Sequence, residues 1–334
     1  FRNIFGCRLI SPFVGTAVSI VVQAILLWSV TIHALYSQST GNSSCKKVFP
    51  LTYCKKSKKL TGSLETVRGN SSLSVHCPQH YKPTTDKEFG YYLAGLIEGD
   101  GSIVISKNKA YVFICFHQKD VSTAYYIKSR LGFGSVVKQK NKKAVNLTIV
   151  RLQGLFKVVE LVNGKFRTNK IESLQKLIDY INIHNTKIKA LPKDTSSLLE
   201  NHWLAGFLDA DGYLQVRVIN RVRLDRKFPY EVRLHLKVDQ KTKDILESIH
   251  EGWGGYVGYR KSQDTYYYQS TGFQHALKVI SYLDRYHLSS KWLEYRQWRR
   301  VYLLVQQGSH RTEVGVEKIK KIKKIMERMR QSEH

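Results

Sequence analysis

The stretch YYLAGLIEGDGSI, Tyr91–Ile103, is apolar or small for seven residues and then places Glu98, Gly99, Asp100 and Gly101 in succession. As the last turn of a helix this is electrostatically poor, because the C-terminal end of the helix dipole already carries roughly half a negative charge. Something positive must sit there. Closely spaced oxygen donors suit a hard divalent cation such as Mg²⁺, and a glycine after the second acid lets the chain leave the helix sharply.

The stretch has an echo. HWLAGFLDADGYLQV, His202–Val216, repeats the order aromatic, Leu, Ala, Gly, apolar, apolar, acid, small, Asp, Gly, so that Asp211 stands 111 residues after Asp100. Behind it, CFHQKDVST (Cys115–Thr123) answers KVDQKTKDI (Lys237–Ile245), LGFGSV at Leu131 answers GWGGYV at Gly252, and HNTK ending at Lys187 answers LSSK ending at Lys291. A period this long marks a duplicated domain and not a solenoid.

The elements that position the acids follow from periodicity. In YEVRLHLKVDQ, Tyr230, Val232, Leu234, Leu236 and Val238 share one strand face and Glu231, Arg233, His235 and Lys237 the other. DGYLQVRVIN alternates likewise, with Tyr213, Gln215 and Arg217 outward. Further strands are expected around Ser135–Val150 and Tyr256–Ser270. Each half therefore reads as helix, two strands, helix, two strands, helix: an α+β chain of two pseudo-symmetric αββαββα repeats, 86–195 and 196–310, followed by a basic helix at 311–334 with an apolar stripe of Ile319, Ile322, Ile325, Met326 and Met329.

Composition sets the partner class. The 334 residues carry 54 Lys and Arg against 26 Asp and Glu, a formal charge of +28, with 42% hydrophobic content. Residues 1–85 hold only ten of the basic and one of the acidic residues, so +19 belongs to 86–334. A folded region this basic meets a polyanion, nucleic acid before membrane. The five cysteines form no Cys-x-x-Cys pair, which argues against a disulfide framework and a zinc finger. The N-terminal extension departs from the repeat pattern. Residues 9–32 contain no charge and are long enough to span a bilayer or to derive from an upstream host exon (segment 1–36), and 37–85 reads as a basic polar linker.

The paired motifs resemble those of the single-chain, two-repeat LAGLIDADG homing endonucleases of organellar introns. The resemblance covers about residues 86–310 and implies a DNA-binding saddle of two sheets, with the motif helices packed together at its centre. It also implies a functional monomer encoded by a mitochondrial intron, with a chloroplast one as the alternative, that promotes intron homing. Glu160–Asn182 is similar to the connecting helix region of that family. Ala94–Gly95 and Ala205–Gly206 remove bulk at matched points, which allows close helix approach and brings Asp100 and Asp211 together, where a divalent cation relieves their repulsion.

By the same resemblance, Asp100 and Asp211 are the metal-binding acids, the carbonyls of Gly99 and Ala210 are additional ligands, Gln118 and Gln240 place water near the scissile phosphate, and Lys187 and Lys291 supply cations to it. The candidate DNA contacts of the first repeat are Ser102, Ser106, Lys138 and Lys140. Those of the second are Tyr213, Gln215, Arg217, Arg233, His235, Lys237 and Arg260, on faces that suit a major groove. The expected reaction is Mg²⁺-dependent hydrolysis of one phosphodiester in each strand of double-stranded DNA. The alternatives are an RNA maturase that assists splicing of its own intron and a membrane association through 9–32.

Overall fold

The computed structural model describes residues 73–331, apart from 107–108, 185 and 222–227. The chain divides into two units after Gly69, and everything below concerns the second. The 9–32 stretch and most of the 37–85 segment lie outside the described residues. Among the described residues no helix is long and apolar enough to cross a membrane.

The first repeat contains α1 (Asp86–Asp100), β1 (Gly101–Ser106), β2 (Lys109–His117), α2 (Val121–Leu131), β3 (Ser135–Lys138), β4 (Ala144–Ile149) and α3 (Leu152–Val162), followed by α4 (Ile171–Asn182). The second contains α5 (Trp203–Asp211), β5 (Gly212–Asn220), β6 (Tyr230–Gln240), α6 (Asp244–Trp253), β7 (Tyr256–Arg260), β8 (Thr265–Gln269) and α7 (Phe273–Leu283), followed by α8 (Trp292–Gln306). The expected order is present, with one more helix behind each repeat. Both sheets are antiparallel and four-stranded, ordered β1-β2-β4-β3 and β5-β6-β8-β7.

Period-two patterning sets which face is core. In β2, Ala110, Val112, Ile114 and Phe116 are buried, while Tyr111, Phe113, Cys115 and His117 are half-buried on the other face. In β6 the buried residues include Leu234, Leu236 and Val238, as the alternation requires.

The motif helices lie against each other because glycine stands at both crossing points. A Cβ added to Gly95 would collide with the Trp203 carbonyl oxygen, and one added to Gly206 with that of Tyr92. Farther along, the space beside Gly99 is filled by the Ala210 methyl. Backbone on backbone leaves no side chain able to yield. Gly206→Ala is therefore expected to cost about 3 kcal/mol, the upper part of the overpacking range, read as a lowered denaturation midpoint; an unchanged midpoint would contradict the close crossing.

Thr85 starts α1 with a capping box, accepting from the Glu88 amide at 3.2 Å while the Glu88 carboxylate accepts from the Thr85 amide at 3.2 Å. The residues before it are not a solvated linker. Arg299 donates to the Ser74 and His76 carbonyls at 2.9 and 3.3 Å, the Tyr81 amide donates to His287 Nδ1 at 2.7 Å, and the His80 ring stacks on Trp292 at 4.6 Å. Residues 74–81 thus strap the second repeat before the chain enters the first. The aromatic and imidazole rings in this stretch give it its packing surface.

The C-terminal helix α9 (Glu313–Gln331) buries Val316, Ile319, Ile322 and Met326, whereas Ile325 is 38% exposed and falls outside the stripe. Arg330 reaches from it to Glu294, the Leu214 carbonyl and the Tyr213 hydroxyl, and its Met329 carbonyl accepts from Lys119 of the first repeat at 3.1 Å.

Candidate active site

The positive charge demanded by the helix ends is a lysine at each. Lys170 Nζ donates to the carbonyls of Ile97, Gly99 and Gly101 at 3.1, 2.8 and 2.8 Å. Lys291 Nζ donates to those of Leu208, Ala210 and Gly212 at 3.1, 2.7 and 2.7 Å. Three ammonium protons meet three carbonyls, including ones a helix terminus leaves unpaired. Each lysine is itself the N-cap residue of the next helix, Lys170 of α4 and Lys291 of α8. Burial holds both ammonium groups below the usual lysine range, opposed by Asp211, Glu98 and Asp100 around Lys170 and led by Asp209 and Asp100 around Lys291.

The partner of Lys291 is therefore Lys170, and the expected pairing with Lys187 is corrected. Lys187 lies exposed beyond α4. The offset between repeats is 121 residues from α3/α7 through the two lysines to α4/α8, and Lys187 does not meet it. A similar correction applies to Gln118. The ladders pair Gly101 with Ile114 and Gly212 with Val238, so the counterpart of Gln240 is Phe116. Gln118 sits two residues on, exposed in a single 3-10 turn, Gln118–Asp120. Gln240, by contrast, donates from Nε2 to Asp211 Oδ2 at 2.7 Å.

Asp100 and Asp211 end the two crossed helices. A Cβ on Gly99 would stand 3.2 Å from Asp211 Oδ2, which places the second carboxylate against the end of the first helix. Burial, then the Asp100 charge, push the Asp211 carboxyl up to about 6, against Lys291, Gln240 and Lys170. Burial also raises Asp100, opposed by Lys291 and Lys170. Two carboxylates whose ionised forms are disfavoured, side by side, fit a hard dication that restores them. Among the described residues no third His, Cys, Asp or Glu joins them. The carbonyls of Gly99 and Ala210 already accept from Lys170 and Lys291; an ammonium at each opposes a dication on the same oxygen, and the structure gives these atoms a different partner from the one expected.

The outward sheet faces carry most of the other expected residues. Ser102 and Ser106 share the outer face of β1 with Val104, paired with Phe113 and Lys109. Lys138 pairs with the buried Val145 on edge strand β3, where it is exposed, while Lys140 stands exposed in the β3–β4 turn. On the second sheet the pairs Tyr213–Lys237, Gln215–His235 and Arg217–Arg233 line up across β5 and β6. Arg217 and Arg233 are like charges directly opposed, an arrangement that costs stability until an anion meets it; Glu231 holds the Arg233 guanidinium at 2.5 Å. Arg260 pairs with Asp239 at 3.3 Å. His235 is corrected: it is 4% exposed and its Nδ1 bonds the Ser270 carbonyl at 2.8 Å. As a middle residue of a central strand it is covered by its neighbours.

A family model described as LAGLIDADG endonuclease matches residues 93–185 and 204–302, one match to each repeat. The chain belongs to the LAGLIDADG endonuclease family. Among its relatives, an uncharacterized cox1 intron-2 protein of 37.2 kDa from Schizosaccharomyces pombe is 44% identical over 269 residues, covering 78% of this chain and 80% of that protein. The intron-encoded DNA endonuclease aI3 of Saccharomyces cerevisiae is 28% identical over 295 residues, 72% and 69% of the two chains. The fold matches that of the meganuclease I-SmaMI bound to uncleavable DNA, with a TM-score of 0.56 and 19% identity over 70% of this chain and 97% of that one. In this LAGLIDADG endonuclease the motif acids expected from sequence do converge, and Lys170 is the site residue that sequence reading missed. The signal was present: RTNK, ending at Lys170, answers LSSK at the 121-residue offset.

Proposed function

We propose that this intron-encoded endonuclease cuts both strands of double-stranded DNA at a long, asymmetric site, the junction of the exons that flank its own intron, and acts in the mitochondrion as a monomer with Mg²⁺ between Asp100 and Asp211. The observation that carries the reading is the convergence of one acid from each repeat at the ends of two helices crossed at Gly95 and Gly206. The name of the S. pombe relative, which places it in a cox1 intron, supports the compartment.

The geometry supports a role for each of these residues. Asp100 and Asp211 bind the cation, and Gln240 orients the Asp211 carboxylate through its Oδ2. Lys170 and Lys291 neutralise the two helix ends that would otherwise repel phosphate. Bound there, Mg²⁺ supplies a Lewis acid that activates water and offsets charge on the phosphate and the leaving oxygen. The cationic pair Arg217 and Arg233, with Lys237 beside them, gives the second sheet a face for phosphates and base edges.

Arg217→Ala is expected to lose about 1–3 kcal/mol of discrimination at particular base pairs of one half-site, the range of a bidentate arginine–guanine contact, and more than Arg233→Ala, whose guanidinium is shared with Glu231. Cleavage of all single-base variants of the site measures this. A uniform loss across both half-sites, or binding of intron RNA with no DNA cleavage, would overturn the reading in favour of a splicing role.

A further inference from the structure

The first acids of the two motifs do not face the cleft. Glu98 and Asp209 are 3% and 5% exposed, and among the described residues neither carboxylate meets a cation within hydrogen-bond distance. Glu98 accepts from the Arg167 amide at 3.0 and 2.9 Å, the Thr168 amide and hydroxyl at 2.6 Å each, and Trp203 Nε1 at 2.7 Å. Asp209 accepts from the Ser289 amide at 2.6 Å, the Lys291 amide at 3.0 Å and the Tyr92 hydroxyl at 2.8 Å.

The pattern of donors is the same on both sides. The amides belong to the turn that carries the lysine of the same repeat: 167–168 leads directly to Lys170, and 289–291 ends on Lys291. The Thr168 hydroxyl joins the first of these turns, and the last donor to each acid comes from the opposite repeat. Trp203 and Tyr92 hold equivalent positions in the two motifs, 111 residues apart, so each motif helix reaches across the crossing to the other's buried acid. A lysine side chain has four rotatable bonds, and its ammonium lands on three carbonyls only if its backbone is held. A buried carboxylate is costly unless donors satisfy it, and here those donors are the turn to be held.

We propose that Glu98 and Asp209 are positioning residues for Lys170 and Lys291, and that Tyr92 and Trp203 make the placement of each lysine depend on the opposite repeat. This rests on the reading of the chain as a double-strand DNA endonuclease. Its consequence is an exchange of sides. Loss of the Tyr92 hydroxyl loosens the Lys291 turn, although Tyr92 lies in the first repeat; loss of the Trp203 N–H loosens the Lys170 turn, although Trp203 lies in the second.

Tyr92→Phe keeps the buried ring and removes only the donor, and Trp203→Phe does the same for the other side with some loss of volume. Each is compared with the wild-type full chain on supercoiled plasmid that carries the fused exon junction, in Mg²⁺ and at protein excess, with the two strands labelled separately. Tyr92→Phe is expected to slow one strand about tenfold, the lower part of the range for removing a partner that orients a site residue, so that nicked circle accumulates while the dissociation constant for the same DNA in Ca²⁺ stays unchanged. Trp203→Phe is expected to slow the other strand. Asp209→Asn, which weakens the acceptor itself, should nick on the same side as Tyr92→Phe and more severely.

A purely structural role for these bonds would lower the melting midpoint and slow both strands equally. Equal strand rates for Tyr92→Phe, with wild type cutting normally, overturn this inference alone. Wild-type protein that leaves the plasmid uncut overturns the parent reading and this one with it.

Discussion

Asp211→Asn and Asp100→Asn are each expected to lower DNA cleavage by at least about 10²–10³-fold, the scale of removing one group that stabilises developing charge, while DNA binding is retained. Each exchange deletes a carboxylate that we propose binds the cation and touches no outward strand face. Metal-free stability should move the other way. The Asp211 carboxyl is raised from 3.8 to about 6, so between those values the folded protein holds a proton that the unfolded chain has released. Stability contributed by this group is full below 3.8 and is lost as pH rises through about 6. At pH 7 the cost is on the order of 3 kcal/mol, because each pH unit between the two values is worth about 1.36 kcal/mol. Asp211→Asn removes it, so the metal-free variant should melt higher than wild type at pH 7 and match it near pH 4. At limiting Mg²⁺, metal-dependent cleavage by the wild type should rise with pH through about 6, because protons compete with the cation for the carboxylate, and saturating Mg²⁺ should move that rise to lower pH. A variant that still cuts at the wild-type rate, or that melts lower at pH 7, would contradict the placement of the two acids.

Lys170→Met and Lys187→Met should part company. Lys170 donates to the Ile97, Gly99 and Gly101 carbonyls from a half-buried position; its removal takes a donor from each, although Ile97 keeps the Gly101 amide, at about 1–3 kcal/mol for each group left without a partner. It also uncovers the negative end of α1 beside the scissile phosphate, so cleavage should fall by about 10²-fold or more. Lys187 is exposed, and its replacement should leave rate and midpoint near wild type. Cleavage rates and melting curves of the two variants decide; loss of activity in the Lys187 variant alone would reverse the assignment.

What sequence could and could not show follows from where the information lies. The two acids were legible because each ends a nine-residue motif whose order of residue types recurs. The close helix crossing was legible because Ala–Gly occurs at the same place in both, although only the structure shows that Gly95 and Gly206 meet backbone. Strand faces were legible from period-two alternation, which held for Val112 and Ile114 as for Leu236 and Val238. The lysine pair was misassigned because the spacing changes within the repeat. The offset is 111 residues at the motifs, 124 where Ile114 answers Val238, and 121 from β4 and β8 onward, where Leu147 answers Tyr268. The longer β5–β6 hairpin, in both its strands and its connection, makes the first change, and a shorter stretch between β6 and β7 makes the second. Matching by residue type alone drew Lys187 and Gln118 into pairs that the ladders do not support. His235 failed for a different reason: alternation fixes which face a residue takes but not how deeply its neighbours cover it. The crossed bonds of Tyr92 and Trp203 had no local signal, since both sit among apolar residues and their partners are 117 and 105 residues away.

The most direct measurement is the incubation of purified full-length protein with supercoiled plasmid carrying the intron-less exon junction, in Mg²⁺ and in EDTA. Linear product at that junction in Mg²⁺, absent in EDTA and absent for Asp211→Asn, is the predicted result; intact plasmid in Mg²⁺, or equal cutting in EDTA, would contradict it.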